Sequence, residues 1–285
     1  MDSGKNNIKN IDIILSNKCN LNCFFCNSNN WWIYKWDLKA ICMLINKFYK
    51  EWFESITFSG GEPTLDENLL LYIAFAKKLW FKIIKVQTNL LFSEDYFWKL
   101  IKSGLTSLGF TYFWLDKKTF SFIAWEFWNF FLYYSSLNYV YKYTKQIDIN
   151  IDIVLNEYII DNIWYETNKL LDLWFNNINY KFPFFTWKTR LNYDLEFYSE
   201  KLRNFLLWKK FNFYILYIPT CYLKWLEDYV YDFNNDYIYD FKYLFSLKDS
   251  IYKIYEKFEE CNNCEYFDKC YGFEKGNKNI FKPLI

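Results

Sequence analysis

Histidine is absent from this chain of 285 residues. No imidazole can ligate a metal or carry a proton here, so proton transfers would fall to Lys, Tyr, Glu, Asp or water. Proline is scarce, at 4 residues, which excludes a Pro-rich linker. Charge of one sign is not in excess: 34 basic against 33 acidic side chains leave +1. No face is forced to be basic, so nucleic acid is not the expected partner. Long apolar runs are missing too. The greasiest stretch, FWNFFLYYSSLNYVY (127–141), is broken by Asn129, Ser135, Ser136 and Asn138 and is too short for a membrane span. The opening MDSGKNNIKN is polar and has no signal-peptide core, so the cytoplasm is the expected location and no membrane the expected setting. What remains is a globular balance, 53% hydrophobic and 24% charged, long enough to bury a core without disulfides.

Glycine is also short, at 7 residues where average usage gives about 20. Tryptophan is correspondingly high, at 14. In KEWFESITF, KLWFKIIKV and DLWFNNINY, Trp52, Trp80 and Trp174 each stand between an expected helix and an expected strand. That junction favours Gly, because the residue past a helix end often has positive φ. Gly104 does occupy the fourth such junction, IKSGLTSLGF. We expect that many of these Trp stand where the natural protein has Gly, as when a gene that reads UGA as Gly is translated with UGA as Trp. Genuine aromatic enrichment is the alternative. Reading the codons at 52, 80 and 174 decides between them.

Strand-like and helix-like segments alternate: strands at 11–16, 55–59, 81–88, 105–113, 147–155 and 176–184, helices at 38–51, 67–79, 94–103 and 161–173, and a long helical region over 117–143. Six β–α repeats with short connections predict an α/β fold with a parallel sheet. The rhythm breaks near 186. The expected division is a core over 1–185 and a C-terminal Cys-rich extension over 186–285.

Cysteine is concentrated in two places. CNLNCFFCNSNN holds Cys19, Cys23 and Cys26 directly after the first strand. On a helix the three would share a face as core thiols, but the outer pair would lie about 10 Å apart along the axis. The surrounding Asn residues favour a loop instead. A loop can curl three thiolates around one iron–sulfur cube. Three ligands for four irons leave one iron open to a small molecule, whereas fully Cys-ligated clusters mostly transfer electrons.

This Cys-x3-Cys-x2-Cys run, with Phe25 before its last Cys, resembles the radical S-adenosylmethionine (SAM) superfamily. SGGEP (59–63), at the end of the second strand, resembles that family's second motif. The resemblance implies a partial (β/α)6 barrel over about residues 10 to 185. It implies a [4Fe-4S] cluster on Cys19, Cys23 and Cys26, with Gly60, Gly61, Glu62 and Pro63 holding the SAM methionine. The physics of the residues agrees: the glycines let backbone approach a ligand closely, Glu62 offers acceptors to an ammonium, and Pro63 stiffens the exit. QTN (87–89) resembles a Thr-Asn-Gly element with Leu90 in place of Gly. Thr88 and Asn89 are candidates for the SAM pocket, or equally caps of the next helix.

The tail CNNCEYFDKCYG, with Cys261, Cys264 and Cys270, resembles the SPASM or twitch extensions of that superfamily, with Cys221 as a fourth ligand. It implies one auxiliary [4Fe-4S] cluster. A structural zinc site is the alternative, since four thiolates also suit zinc. Three plus four ligands use seven of the eight Cys, and Cys42 is left as a core residue. The expected activity is reductive cleavage of SAM to a 5′-deoxyadenosyl radical that takes hydrogen from a substrate. An electron would come from a low-potential donor such as a flavodoxin or ferredoxin. A peptide or protein substrate, as for a maturase, is the leading expectation. A small molecule of cofactor biosynthesis is the second, and a non-catalytic iron–sulfur or zinc protein the reading from another class.

Overall fold

The computed structural model describes residues 8–26, 36–114, 116–125, 128–183, 195–207, 209, 211–231, 233, 235–240, 243–246, 255–268 and 270–274. Strands β1 (Asn10–Ile14), β2 (Ser55–Ser59), β3 (Ile83–Thr88), β4 (Ser107–Thr111), β5 (Asp148–Val154) and β6 (Asn177–Lys181) pair in parallel, each beside its neighbour in sequence. Helices α1 (Leu38–Lys50), α2 (Leu69–Lys78), α3 (Glu94–Ser103), α4 (Lys117–Ala124), α5 (Phe130–Lys142) and α6 (Ile163–Asp172) cross between them. The result is the α/β parallel sheet that the repeat predicted, curled into the partial barrel that the resemblance implied. Parallel strands need such crossovers, and a right-handed connection puts the helices on one face. α1 shows why these residues form helices. Asp37 caps its start by accepting from Ala40 N–H, and Ile41, Ile45 and Phe48 bury one face of it.

Two features differ from the sequence reading. The expected long helix over 117–143 is two helices, because Trp125 ends α4 in the left-handed region at φ 51°. The sheet also runs past the sixth strand. After α7 (Leu195–Leu206), β7 (Asn212–Leu216) pairs with β6, and β8 (Asp236–Asp240) pairs with β1, both parallel; β9 (Tyr243–Ser246) returns antiparallel on β8. A two-stranded ladder, β10 (Tyr255–Glu256) with β11 (Phe273–Glu274), follows.

Strand alternation splits the sheet into two faces. Ile11, Ile56, Val86, Leu108, Ile151 and Ile178 are solvent-free in the core. Their neighbours Asp12, Lys85, Gln87, Asp152 and Lys181 are polar and point to the other face.

The tryptophan expectation has a backbone counterpart. Trp52, Trp80 and Trp174 have φ of 64°, 68° and 61°, and Trp114, Trp125 and Trp225 join them at 83°, 51° and 72°. Only Leu90 and Tyr217 are also left-handed without being Gly among the described residues. Bulky L-residues disfavour this region.

Candidate active site

The first three cysteines lie on a loop, not a helix, between β1 and α1. Its backbone is pinned to the end of α4: Asn22 N–H donates to Ala124 O and Phe24 N–H to Ile123 O, both at 3.3 Å. Cys23 is buried, Cys19 and Cys26 half-buried, and none is in a disulfide. Leu21 N–H donates to Cys19 Sγ at 3.4 Å. Burial pushes the Cys19 thiol up to about 11; the Leu21 amide opposes this, while Glu62 and Cys26 add to it. The Phe25 ring stacks on Phe113, centroids 6.3 Å apart.

The GGEP element lies directly against this loop. Gly61 N–H donates to Ser16 O and Glu62 N–H to Lys18 O, both at 2.8 Å. A Cβ at Gly60 would stand 2.2 Å from Ser16 O, and one at Gly61 2.2 Å from Lys18 O. The pair of glycines therefore has a further role: backbone approaches backbone here, fixing the Cys loop to the end of β2.

Glu62 is 1% exposed. Its Oε1 accepts from Thr64 N–H (3.1 Å), Thr64 Oγ1 (2.7 Å) and Thr88 Oγ1 (2.7 Å), and its Oε2 from Asn89 N–H (2.7 Å). Burial pushes its carboxyl up, and these four bonds oppose the rise. Pro63 opens the 3₁₀ turn Pro63–Leu65 that Glu62 caps. Asn89 closes the circuit, donating from Nδ2 to Asn20 Oδ1 at 2.7 Å and toward Cys19 Sγ at 3.9 Å. Thr88 and Asn89 do not cap α3; Ser93 does. Leu90 keeps a left-handed φ of 66° where the motif's Gly would stand.

The structure thus brings Cys19, Gly61, Glu62, Thr88 and Asn89 into one hydrogen-bonded unit at the C-terminal ends of β1, β2 and β3, with Gly60 packed against Ser16. Asn20, Ser16 and Lys18 were not singled out from sequence, because their roles come from contacts with β2 and β3. The donor set suits an iron–sulfur cluster with SAM: three thiols on one loop, N–H groups aimed at sulfur, and a buried carboxylate beside them.

The second set also converges. Cys221, on the turn Thr220–Leu223, lines one cavity with Cys261, Cys264, Cys270, Lys257, Phe267 and Phe273. Thr220 N–H and Gly272 N–H both donate to Cys270 Sγ at 3.3 Å. No group of three or more Cys, Asp or Glu side chains among the described residues is gathered to hold a single metal ion as it stands. The four thiols line a space rather than clasp a point.

Residues 13–115 match the Radical SAM superfamily. That span takes in the three-cysteine loop, the GGEP element and Thr88–Asn89. Among curated proteins it is similar to the probable GTP 3′,8-cyclase of Saccharolobus islandicus, 27% identical over 118 residues, which is 40% of this chain and 37% of that protein. Among solved structures, Streptococcus suis SuiB bound to S-adenosylmethionine aligns at TM-score 0.62 and 17% identity over 73% of this chain and 50% of SuiB. Native anSMEcpe with bound AdoMet and Kp18Cys peptide aligns at 0.58 and 18%, over 69% of this chain and 58% of that one. These structural likenesses bear on the fold. Similarity to the radical SAM superfamily over residues 13–115 implies a [4Fe-4S] cluster and SAM and supports an enzyme. No described helix is long and apolar enough to cross a membrane.

Proposed function

We propose that this protein is a radical SAM enzyme that cleaves SAM reductively and abstracts hydrogen from a peptide or protein substrate. One observation carries the reading: the circuit from Cys19 through Asn89 to Glu62, which unites the three-cysteine loop with the GGEP element. Cys19, Cys23 and Cys26 would hold the cluster, which when bound delivers an electron to SAM. Gly60 and Gly61 keep the loop and β2 in contact, Glu62 takes the methionine ammonium, Phe25 bounds the pocket, and Thr88 and Asn89 hold Glu62 in place. Support for the peptide comes from SuiB, whose structure has also been solved bound to precursor peptide SuiA, and from anSMEcpe with its peptide. A small-molecule reading is supported by the sequence similarity to GTP 3′,8-cyclases.

Cys221, Cys261, Cys264 and Cys270 would hold a second cluster in the C-terminal extension (186–285), with zinc as the alternative. A flavodoxin or ferredoxin would supply electrons in the cytoplasm. The test is anaerobic reconstitution with iron and sulfide, then SAM and dithionite. The expected result is 5′-deoxyadenosine with iron and sulfide for about two cubanes. One cubane plus zinc refutes the second cluster; no 5′-deoxyadenosine leaves a non-catalytic protein.

A further inference from the structure

Closed α/β barrels fill their interior with branched apolar side chains. The inner face of this partial barrel is polar instead. Its hub is Asp152 on β5, whose Oδ1 accepts from Asn179 Nδ2 (2.9 Å) and whose Oδ2 accepts from Gln87 Nε2 (2.9 Å) and Lys181 Nζ (2.6 Å). Donors from β3 and β6 converge on this one carboxylate of β5. Gly109, on β4 between them, keeps the passage open: a Cβ there would stand 2.0 Å from Gln87 Oε1 and 2.6 Å from Lys85 Cε. Burial alone would push the Asp152 carboxyl up, but Lys181 and Lys85 outweigh it and hold it below the usual range.

Asp152 and Lys181 satisfy each other. Two opposite charges on the same face do not. Asp12, on β1, accepts from Ser59 Oγ and has no ion-pair partner among the described residues. Lys85, on β3, has neither a hydrogen bond nor an ion pair among them. Each lies within electrostatic reach of the other. One strand, β2, separates β1 from β3, so their axes are about 9–10 Å apart. Half-buried charges left without partners are costly. A ligand that bears a donor cation and an acceptor anion would satisfy both. A polyanion would not, because Asp12, Asp152 and Asp236 outnumber Lys85 and Lys181 among the charges that act on this face.

We infer that Asp12 and Lys85 form the substrate-positioning pair of this barrel, taking the ammonium or amide N–H and the carboxylate or carbonyl oxygen of an amino-acid or peptide substrate. The inference rests on the peptide reading above and narrows it to a dipolar anchor. Amine footprinting of the full reconstituted chain tests it. The protein is acylated with sulfo-NHS-acetate, alone and with one of three probes: the twenty free amino acids, a tryptic casein digest, or the four ribonucleoside triphosphates. Mass spectrometry reads Lys85, with exposed Lys82 as internal reference.

Amino acids or digest should cut Lys85 labelling about tenfold at ten times their Kd. Triphosphates should not, and Asp12→Asn should remove the protection. Protection by the free amino acids points to a free amino acid, and protection by the digest alone to a peptide. The inference is overturned if Lys85 takes no label when unliganded, if no probe protects it, if triphosphates protect it equally, or if protection survives Asp12→Asn. The same samples given SAM and dithionite keep the two readings apart. Protection without 5′-deoxyadenosine sinks the radical reading and leaves the pair. The reverse result sinks the pair alone.

Discussion

Replacing Trp52 and Trp80 by Gly should stabilise the protein. Both residues are left-handed, at φ 64° and 68°, and both side chains are open to solvent, at 85% and 83% exposure. The indole rings therefore contribute little burial. A left-handed L-residue costs about 1–2 kcal/mol. Glycine gives back about 0.5–1 kcal/mol through the greater freedom of its unfolded chain. The net gain is about 0.5–1 kcal/mol per site, or about 1–2 kcal/mol for the pair. For a chain of this size that is about 2–3 °C in Tm. Trp174 and Trp225 should gain less. Lys145 lies 6.0 Å from the Trp174 ring centroid, and Lys224 and Arg203 lie 5.2 and 5.8 Å from that of Trp225. Such contacts are worth about 0.5–1 kcal/mol at exposed sites, enough to cancel the relief.

Urea melts should show a higher midpoint at unchanged slope for Trp52→Gly and Trp80→Gly. Two controls isolate the cause. Trp52→Ala removes the ring but keeps the backbone strain, so it should gain nothing. Trp164→Gly, inside α6, should lose about 1 kcal/mol relative to Ala. If the Gly variants are no more stable than the Ala variants, positive φ is not the cause and the reasoning fails. The gene supplies an independent check, since TGG codons at 52, 80 and 174 would end the misreading account.

Ser in place of Cys221 or Cys270 should halve the reconstituted iron, and Cys42→Ser should leave it unchanged, by iron assay. Glu62→Gln turns one acceptor oxygen into a donor facing donors; it should cost about 1–3 kcal/mol in stability and weaken SAM binding, as read by calorimetry. Burial pushes the Asp12 carboxyl up to about 6, with the Ser59 bond, Lys85 and Lys181 opposing and Asp236 adding. A folded-state pKa above the unfolded one means that the native form binds more protons between the two. Stability should therefore fall as pH rises from 3.8 to about 6, by an amount on the order of 2 kcal/mol. Asp12→Asn should flatten that slope in melts across this range.

What could be read from sequence follows the range of the interactions. β2 and α3 have the expected bounds, because local periodicity and a Ser cap define them. The Cys loop was legible through its Asn residues. The contacts of Asn89 with Asn20 and Glu62 were not, since they join residues 69 and 27 positions apart. β8 was missed for the same reason: it finds its partner in β1, across most of the chain. The inner-face charges did leave a signal, in the alternation of IDII, IKVQT and NINYK. Polar residues at every second strand position mark a face that is not packed core.

Trp114 ties the tryptophan question to the site. It is left-handed at φ 83° like the others, yet only 4% exposed, with its ring 5.6 Å from that of Tyr112. Tyr112 donates to Glu166 of α6, so the indole packs on the helix-covered face, while the preceding residue, Phe113, stacks on Phe25 of the three-cysteine loop. Deleting a buried indole costs about 3–5 kcal/mol when its neighbours cannot close in, more than the ~1–2 kcal/mol of backbone relief. If Trp114 is native, Trp114→Gly must destabilise. If the natural residue is Gly, the neighbours evolved without the ring, and the substitution should be neutral or stabilising. The sign of one melting shift at 114 therefore distinguishes the two accounts, and it bears on which chain should be used to search for the substrate.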